Sequence, residues 1–200
     1  MPRRTTIAVV AVVVAAAVVA LVALAGAGGK GLAPEAGTGQ VELVGSSVAV
    51  VPEAERRPLP AFTGTTLDDQ TIDLASLRGR PLVLNFWASW CGPCRAEQEG
   101  LELASKALAA EDVRMVGVNI RDDEGAAASY LEEFQVGYPS LFDRPAVLPA
   151  RLGALGPQAP PYTLVVDAKG RVAARVFGAL PGDAPERQAA LLTDLVERVT

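Results

Sequence analysis

Two cysteines are the residues whose type and spacing most directly suggest chemistry. Cys91 and Cys94 lie in the stretch NFWASWCGPCRAE, Asn85 to Glu97, separated by Gly92 and Pro93 and preceded by Trp87 and Trp90. Thiols this close can bind a metal, staple a loop or cycle between dithiol and disulfide. A structural zinc site takes four N or S ligands, and a chain of 200 residues with two cysteines and no histidine cannot build one alone. Covalent haem attachment needs histidine directly after the second cysteine, where Arg95 stands. A purely stabilising bridge across so short a loop removes little entropy from the unfolded chain. A redox-active dithiol is the reading that remains, with no metal and no cofactor expected.

The flanking pattern says which elements must hold the pair. Leu82 to Trp87, LVLNFW, is a compact, mostly apolar run of the kind that forms a strand buried on both faces. Beyond Pro93 the apolar residues Leu101, Ala104 and Leu108 recur at helical intervals. Cys91 therefore falls where a buried strand ends and a helix begins. The unpaired N–H groups and positive dipole end of that helix favour a thiolate. Pro93 suits the first turn, where its missing N–H is no loss. Cys94, one turn along, is expected to be the less exposed thiol. Cys91 would then attack a disulfide and Cys94 would resolve the mixed disulfide.

The remaining pattern alternates between strand and helix. Pro60 to Pro81 carries turn signals at Gly64 and Asp68-Asp69 and reads as a small hairpin. A second buried strand is expected over Val113 to Ile120, a short helix over Gly125 to Phe134, and a strand around Tyr138 to Phe142. Ala146 to Leu155 reads as a helix weakened by Pro149 and Gly153. Tyr162 to Gly178 reads as two strands turning at Ala168-Lys169-Gly170. The closing segment predicts an amphipathic helix with Asp183 and Glu186 at capping-box spacing, Pro185 in its first turn, and a stripe of Leu192, Leu195, Val196 and Val199. This order implies an α/β fold, a three-layer sandwich with a central mixed sheet flanked by helices.

The N-terminal region has a different character. Arg3 and Arg4 precede Ile7 to Ala25, a run of Ala, Val, Ile and Leu alone. Its length is close to the roughly 20 residues that cross a hydrocarbon core, and the basic flank favours export of the downstream chain. It predicts either a retained membrane anchor or a signal cleaved near Ala23-Leu24-Ala25; no cysteine nearby allows a lipid anchor. The expected division is 1–26 as anchor or signal, 27–58 as a flexible linker rich in Gly, Ala and Pro, and 59–200 as the globular domain. Within the linker, Val41 to Val51 holds an apolar patch able to pair as a strand. The net charge of −5 argues against a general nucleic-acid binder.

These residues carry a resemblance. FWASWCGPC after a buried strand looks like the thioredoxin superfamily. The wider run, with LRGRP before it and PYTLVVDAKGRV after it, resembles the exported TlpA/ResA-type disulfide reductases over roughly Leu59 to Thr200. The resemblance implies a thioredoxin-like sandwich with an inserted strand–helix unit, and a domain outside the cytoplasm, held at the cell membrane or secreted. It implies disulfide-containing exported proteins as substrates, apocytochrome c among them, and a membrane electron donor of thiol type. Where thioredoxin has a buried Asp this chain has Asn85, which cannot titrate. Glu97 matches the acidic residue of the ResA-like proteins and takes the expected proton-transfer role. Pro161 corresponds to the cis-proline opposite the dithiol. Its neighbour Pro160 offers no N–H to a docking substrate strand. Trp90, Gly92 and Pro93 complete the expected substrate-contact surface, with Trp87 in the core. Gly100 is the expected site of any kink in the dithiol helix.

Three other functions compete. An exported oxidant of DsbA or DsbE type differs only in the direction of electron flow. A peroxiredoxin-like peroxidase would carry threonine three positions before its reactive cysteine, where Ala88 stands. A non-enzymatic, membrane-tethered thiol sensor or binding module would use the fold as a scaffold, and the intact CGPC argues against it, since a mere scaffold needs neither thiol.

Overall fold

Strand β5, Leu82–Trp87, is buried at every position, and the sheet is built outward from it. In the computed structural model, which describes residues 42–44, 47–156 and 159–199, β5 pairs in parallel with β6, Arg114–Ile120, and antiparallel with β8, Tyr162–Val166. β6 continues in parallel to β7, Ser140–Asp143, and β8 continues antiparallel to β9, Val172–Phe177. The sheet is completed by β2, Val48–Val50, on β9 and by β1, Glu42–Val44, on β2. Its order is β1-β2-β9-β8-β5-β6-β7, a mixed sheet. A separate hairpin joins β3, Thr63–Thr65, to β4, Thr71–Asp73.

Alternation along β5 sorts its side chains between two faces. Val83 packs with Leu101, Ala104 and Leu108 of helix α1, Gly92–Ala110, and with Leu192, Leu195 and Val196 of the closing helix α4, Pro185–Val199. Leu82, Leu84 and Phe86 point to the opposite core, with Leu148 and Leu152 of α3, Val147–Leu152, and with Phe62 and Leu74. Helix α2, Glu124–Glu133, precedes β7 and forms with it the expected inserted unit. The three-layer sandwich read from the sequence is the observed architecture.

Three details differ from the sequence reading. The sheet begins upstream of Leu59, inside the stretch 27–58 expected as linker. The apolar patch there pairs at Val48–Val50, and Val51 donates its N–H to the Ala173 carbonyl. Asp183 does not close a capping box; it pairs with Arg187, and the Arg187 and Gln188 N–H groups bond to the Ala184 carbonyl. Helix α1 runs unbroken through Gly100, whose role is close approach. A Cβ there would stand 2.5 Å from Gln188 Oε1, 2.7 Å from Gln188 Cβ and 3.2 Å from the Pro185 carbonyl. Gly100→Ala should therefore destabilise the protein. The helix-propensity gain of about 1 kcal/mol is outweighed by overpacking of about 1–3 kcal/mol. Denaturant melts showing Gly100→Ala more stable than the parent would contradict this.

The apolar run Ile7 to Ala25 lies outside the described residues. Among the described residues no helix is long and apolar enough to cross a membrane.

Candidate active site

The end of β5 delivers the chain into a tight turn, with the Cys91 N–H on the Ala88 carbonyl at 3.1 Å, and then into α1. Cys91 is the N-cap of α1. Its sulfur accepts the Cys94 N–H at 3.2 Å, and the two cysteines form a disulfide. One partner-less donor of the first turn thus points at the sulfur that would carry charge in the reduced state. Gly92 and Pro93 are exposed, Pro93 sits in the first turn, and Cys94 is buried within the helix.

Pro161 follows Pro160 through a cis peptide bond. Because Tyr162 pairs with Phe86, this bond lies at the end of the sheet where β5 gives way to the dithiol turn. Pro161 is buried and Pro160 half-buried. Trp90 is 59 % exposed, its indole N–H held by the Arg121 carbonyl at 3.0 Å. Trp87 is buried: its indole N–H donates to Ser140 Oγ at 2.7 Å and its ring stacks on Tyr130. Gly117 makes room for it, since a Cβ there would stand 2.9 Å from the indole nitrogen.

Glu97 is 1 % exposed on α1, three residues beyond Cys94, whereas Glu99 on the same helix faces solvent. Its Oε1 accepts the Asn85 amide at 3.1 Å, and its Oε2 accepts the Leu180 N–H at 2.6 Å. Asn85 also donates to Thr163 Oγ1 at 3.1 Å. Burial disfavours the charged carboxylate and outweighs these two bonds, so the Glu97 pKa is raised to about 7. Its carboxyl is thus poised near neutrality three residues beyond the buried Cys94.

Several residues of the site escaped sequence reasoning. Asp122, just past β6, accepts the Ser89 N–H at 2.5 Å, the Ser89 hydroxyl at 2.8 Å and the Asn119 amide at 2.8 Å. Burial alone would raise its pKa, but these bonds and that from the Asp123 N–H hold it below the usual carboxylate range. It pins the turn that carries Trp90 and Cys91. Tyr130 of α2 places its hydroxyl 3.1 Å from both the Cys94 carbonyl and Gln98 Oε1. Arg95 lies over the Tyr130 and Phe134 rings and pairs with Glu133, fastening α2 to the start of the dithiol helix. An Asp placed just past the carboxyl end of a parallel strand is the one local signal that could have marked Asp122.

Fold and site together define a thioredoxin-fold protein with a Cys-x-x-Cys redox pair at the start of its first long helix. The Redoxin family model matches residues 54–191, and the chain belongs to that family. The thiol:disulfide interchange protein DsbE of Yersinia pestis is 39% identical over 130 residues, covering 62% of this chain and 64% of that protein. DsbE of Escherichia coli (strain K12) is 36% identical over 129 residues, covering 62% of this chain and 65% of that protein. The chain thus spans slightly under two thirds of these two relatives. Among solved structures, a DsbF homologue from Corynebacterium diphtheriae superposes with a TM-score of 0.68 at 28% identity, covering 78% of this chain and 96% of that one. A secreted Mycobacterium tuberculosis disulfide oxidoreductase homologous to E. coli DsbE gives 0.57 at 32% identity, covering 68% and 95%.

Proposed function

We propose that this protein is a thiol–disulfide oxidoreductase that reduces disulfides of exported proteins outside the cytoplasm, apocytochrome c being one candidate client. The observation that carries the exchange reading is the Cys91–Cys94 pair at the N-terminus of α1, with the buried Glu97 carboxyl one turn behind it. The DsbE-named relatives support the same chemistry.

In the reduced protein the Cys91 thiolate attacks a client disulfide. One S–S bond forms to Cys91, and the client's other sulfur leaves as a thiolate. Cys94 then passes its proton to Glu97 and attacks the Cys91 sulfur. The Cys91–Cys94 bond closes, the client's second sulfur departs, and two electrons have moved to the client. A thiol donor at the membrane returns the pair to the dithiol state. Trp90, exposed and fixed through its indole N–H, offers a rigid apolar contact beside Cys91. Gly92, Pro93, Pro160 and Pro161 border the approach. Because Pro160 carries no N–H, a client strand has one fewer backbone donor to pair with there.

The reduction potential tests the direction. Equilibration with glutathione or dithiothreitol buffers should give a value near that of thioredoxin, roughly −270 mV. A value near about −120 mV would instead make the protein an oxidant.

A further inference from the structure

Glu97 sits in a setting that, with its present partners, suits only one of its two protonation states. Both of its oxygens face N–H donors, the Asn85 amide and the Leu180 N–H. That arrangement fits a carboxylate. A protonated carboxyl needs an acceptor for its own hydrogen. One acceptor is close by: Asn85 Oδ1 is buried and has no hydrogen-bond partner.

We propose that the Asn85 side-chain amide turns over by half a rotation as Glu97 gains and loses its proton, making Asn85 and Thr163 positioning residues for both states of Glu97. This rests on the proton-transfer role given to Glu97 above. With Glu97 ionised, Asn85 Nδ2 donates to Glu97 Oε1 and to Thr163 Oγ1, the arrangement observed. With Glu97 protonated, the turned amide brings Oδ1 to the same place. There it accepts the new carboxyl O–H and the Thr163 hydroxyl, because a hydroxyl can accept or donate as required. The amide oxygen and nitrogen are nearly the same size, so the turn moves no backbone. Each orientation leaves one end of the amide without a partner. The proton on Glu97 decides between them, since only the turned amide offers it an acceptor.

The other elements around Glu97 leave this choice to Asn85. On its own helix, Cys94 is the group that exchanges the proton. From α2 and the segment before β7, the Tyr130 and Tyr138 phenols are held neutral, since burial raises both of their pKa values. From the loop after β9 comes the fixed Leu180 N–H, whose own carbonyl accepts the Gln188 amide of α4. Thr163 contributes from β8 a group that is never charged. An aspartate in place of Asn85 would titrate against Glu97, whereas an amide can follow the proton without carrying one.

The test uses the oxidised, nitrogen-15-labelled full-length chain, followed by NMR from about pH 5 to about pH 9, a range that brackets a shifted carboxyl. The Asn85 amide protons should show cross-relaxation to the Thr163 side chain at high pH and lose it at low pH, with a midpoint near 7. In Glu97→Gln the low-pH pattern should hold throughout, because the introduced side-chain amide donates to Asn85 Oδ1 at every pH. Constant contacts through the titration in the parent, or a surviving midpoint in Glu97→Gln, would overturn the proposal. Exchange with a glutathione-capped peptide is measured on the same proteins after reduction. A working dithiol with a static amide sinks this inference alone; a turning amide with no exchange supports it and sinks the functional reading.

Discussion

Replacing Cys94 by Ser should reduce client turnover to the uncatalysed background while trapping the client on Cys91 as a mixed disulfide. Replacing Cys91 by Ser should abolish both turnover and trapping. The asymmetry follows from where the helix places the two sulfurs. Cys91 is the cap, outside the helical hydrogen-bond ladder, with its sulfur accepting the Cys94 N–H and exposed Gly92 and Pro93 beside it. Cys94 lies inside the first turn, 1 % exposed against 4 % for Cys91, with its carbonyl bonded to the Tyr130 hydroxyl. Without Cys94 the first displacement still occurs, but nothing attacks the Cys91–client bond from behind. Non-reducing gels and mass spectrometry of the adduct report the outcome. Accumulation of the adduct on Cys94 in Cys91→Ser would reverse the assignment of roles.

Glu97→Gln should stabilise the oxidised protein at alkaline pH by about 3 kcal/mol and flatten its stability profile. The unfolded glutamate titrates near 4.5 and the folded one near 7. Between these values the folded state binds more protons than the unfolded state, so stability falls as pH rises. The favourable contribution is complete below pH 4.5 and gone above about 7; the difference of about 2.5 pH units corresponds to about 3 kcal/mol. Above pH 7 the folded protein holds a buried carboxylate at that expense, and a neutral amide of the same shape removes it. Urea melts of both proteins at pH 5 and pH 8, chosen to fall on either side of the shifted value, measure it. Equal gains at both pH values would show that Glu97 is not a buried titrating group. The gain in stability should come with slower resolution by Cys94, since the proton acceptor is gone.

Much of this was legible in the sequence because the informative signals were local. The run Leu82 to Trp87, apolar but for Asn85, marked a strand buried on both sides. The residues Leu101, Ala104 and Leu108 marked the buried face of the next helix. That same stripe, continued backward, passes through Glu97 and Cys94, so the burial of both was written in the helical period. What the acidic side chain would meet there was not. Asn85, Thr163 and Leu180 come from three other segments, and their convergence depends on sheet order. The same holds for Asp122 and Tyr130, which reach the dithiol from the ends of elements distant in the chain. The strand Val48–Val50 was hard to read for a related reason. Three residues give almost no period, and their partner strand, Val172–Phe177, is far along the sequence.

That strand has a practical consequence for anyone shortening the chain. A fragment beginning at Leu59 would uncover the outer side of β9, where Val48–Val50 now pairs and the Ser47 carbonyl takes the Phe177 N–H. It would also lose Arg56, whose guanidinium joins Asp167 to the Val199 carbonyl and so ties the hairpin turn to the last helix. The exposed flank would be a row of unsatisfied backbone groups beside Ala174 and Val176, the kind of raw edge on which two molecules add strands to each other. Upstream of the family boundary, then, lies a strand whose removal would open the flank of β9 to pairing with a neighbouring copy.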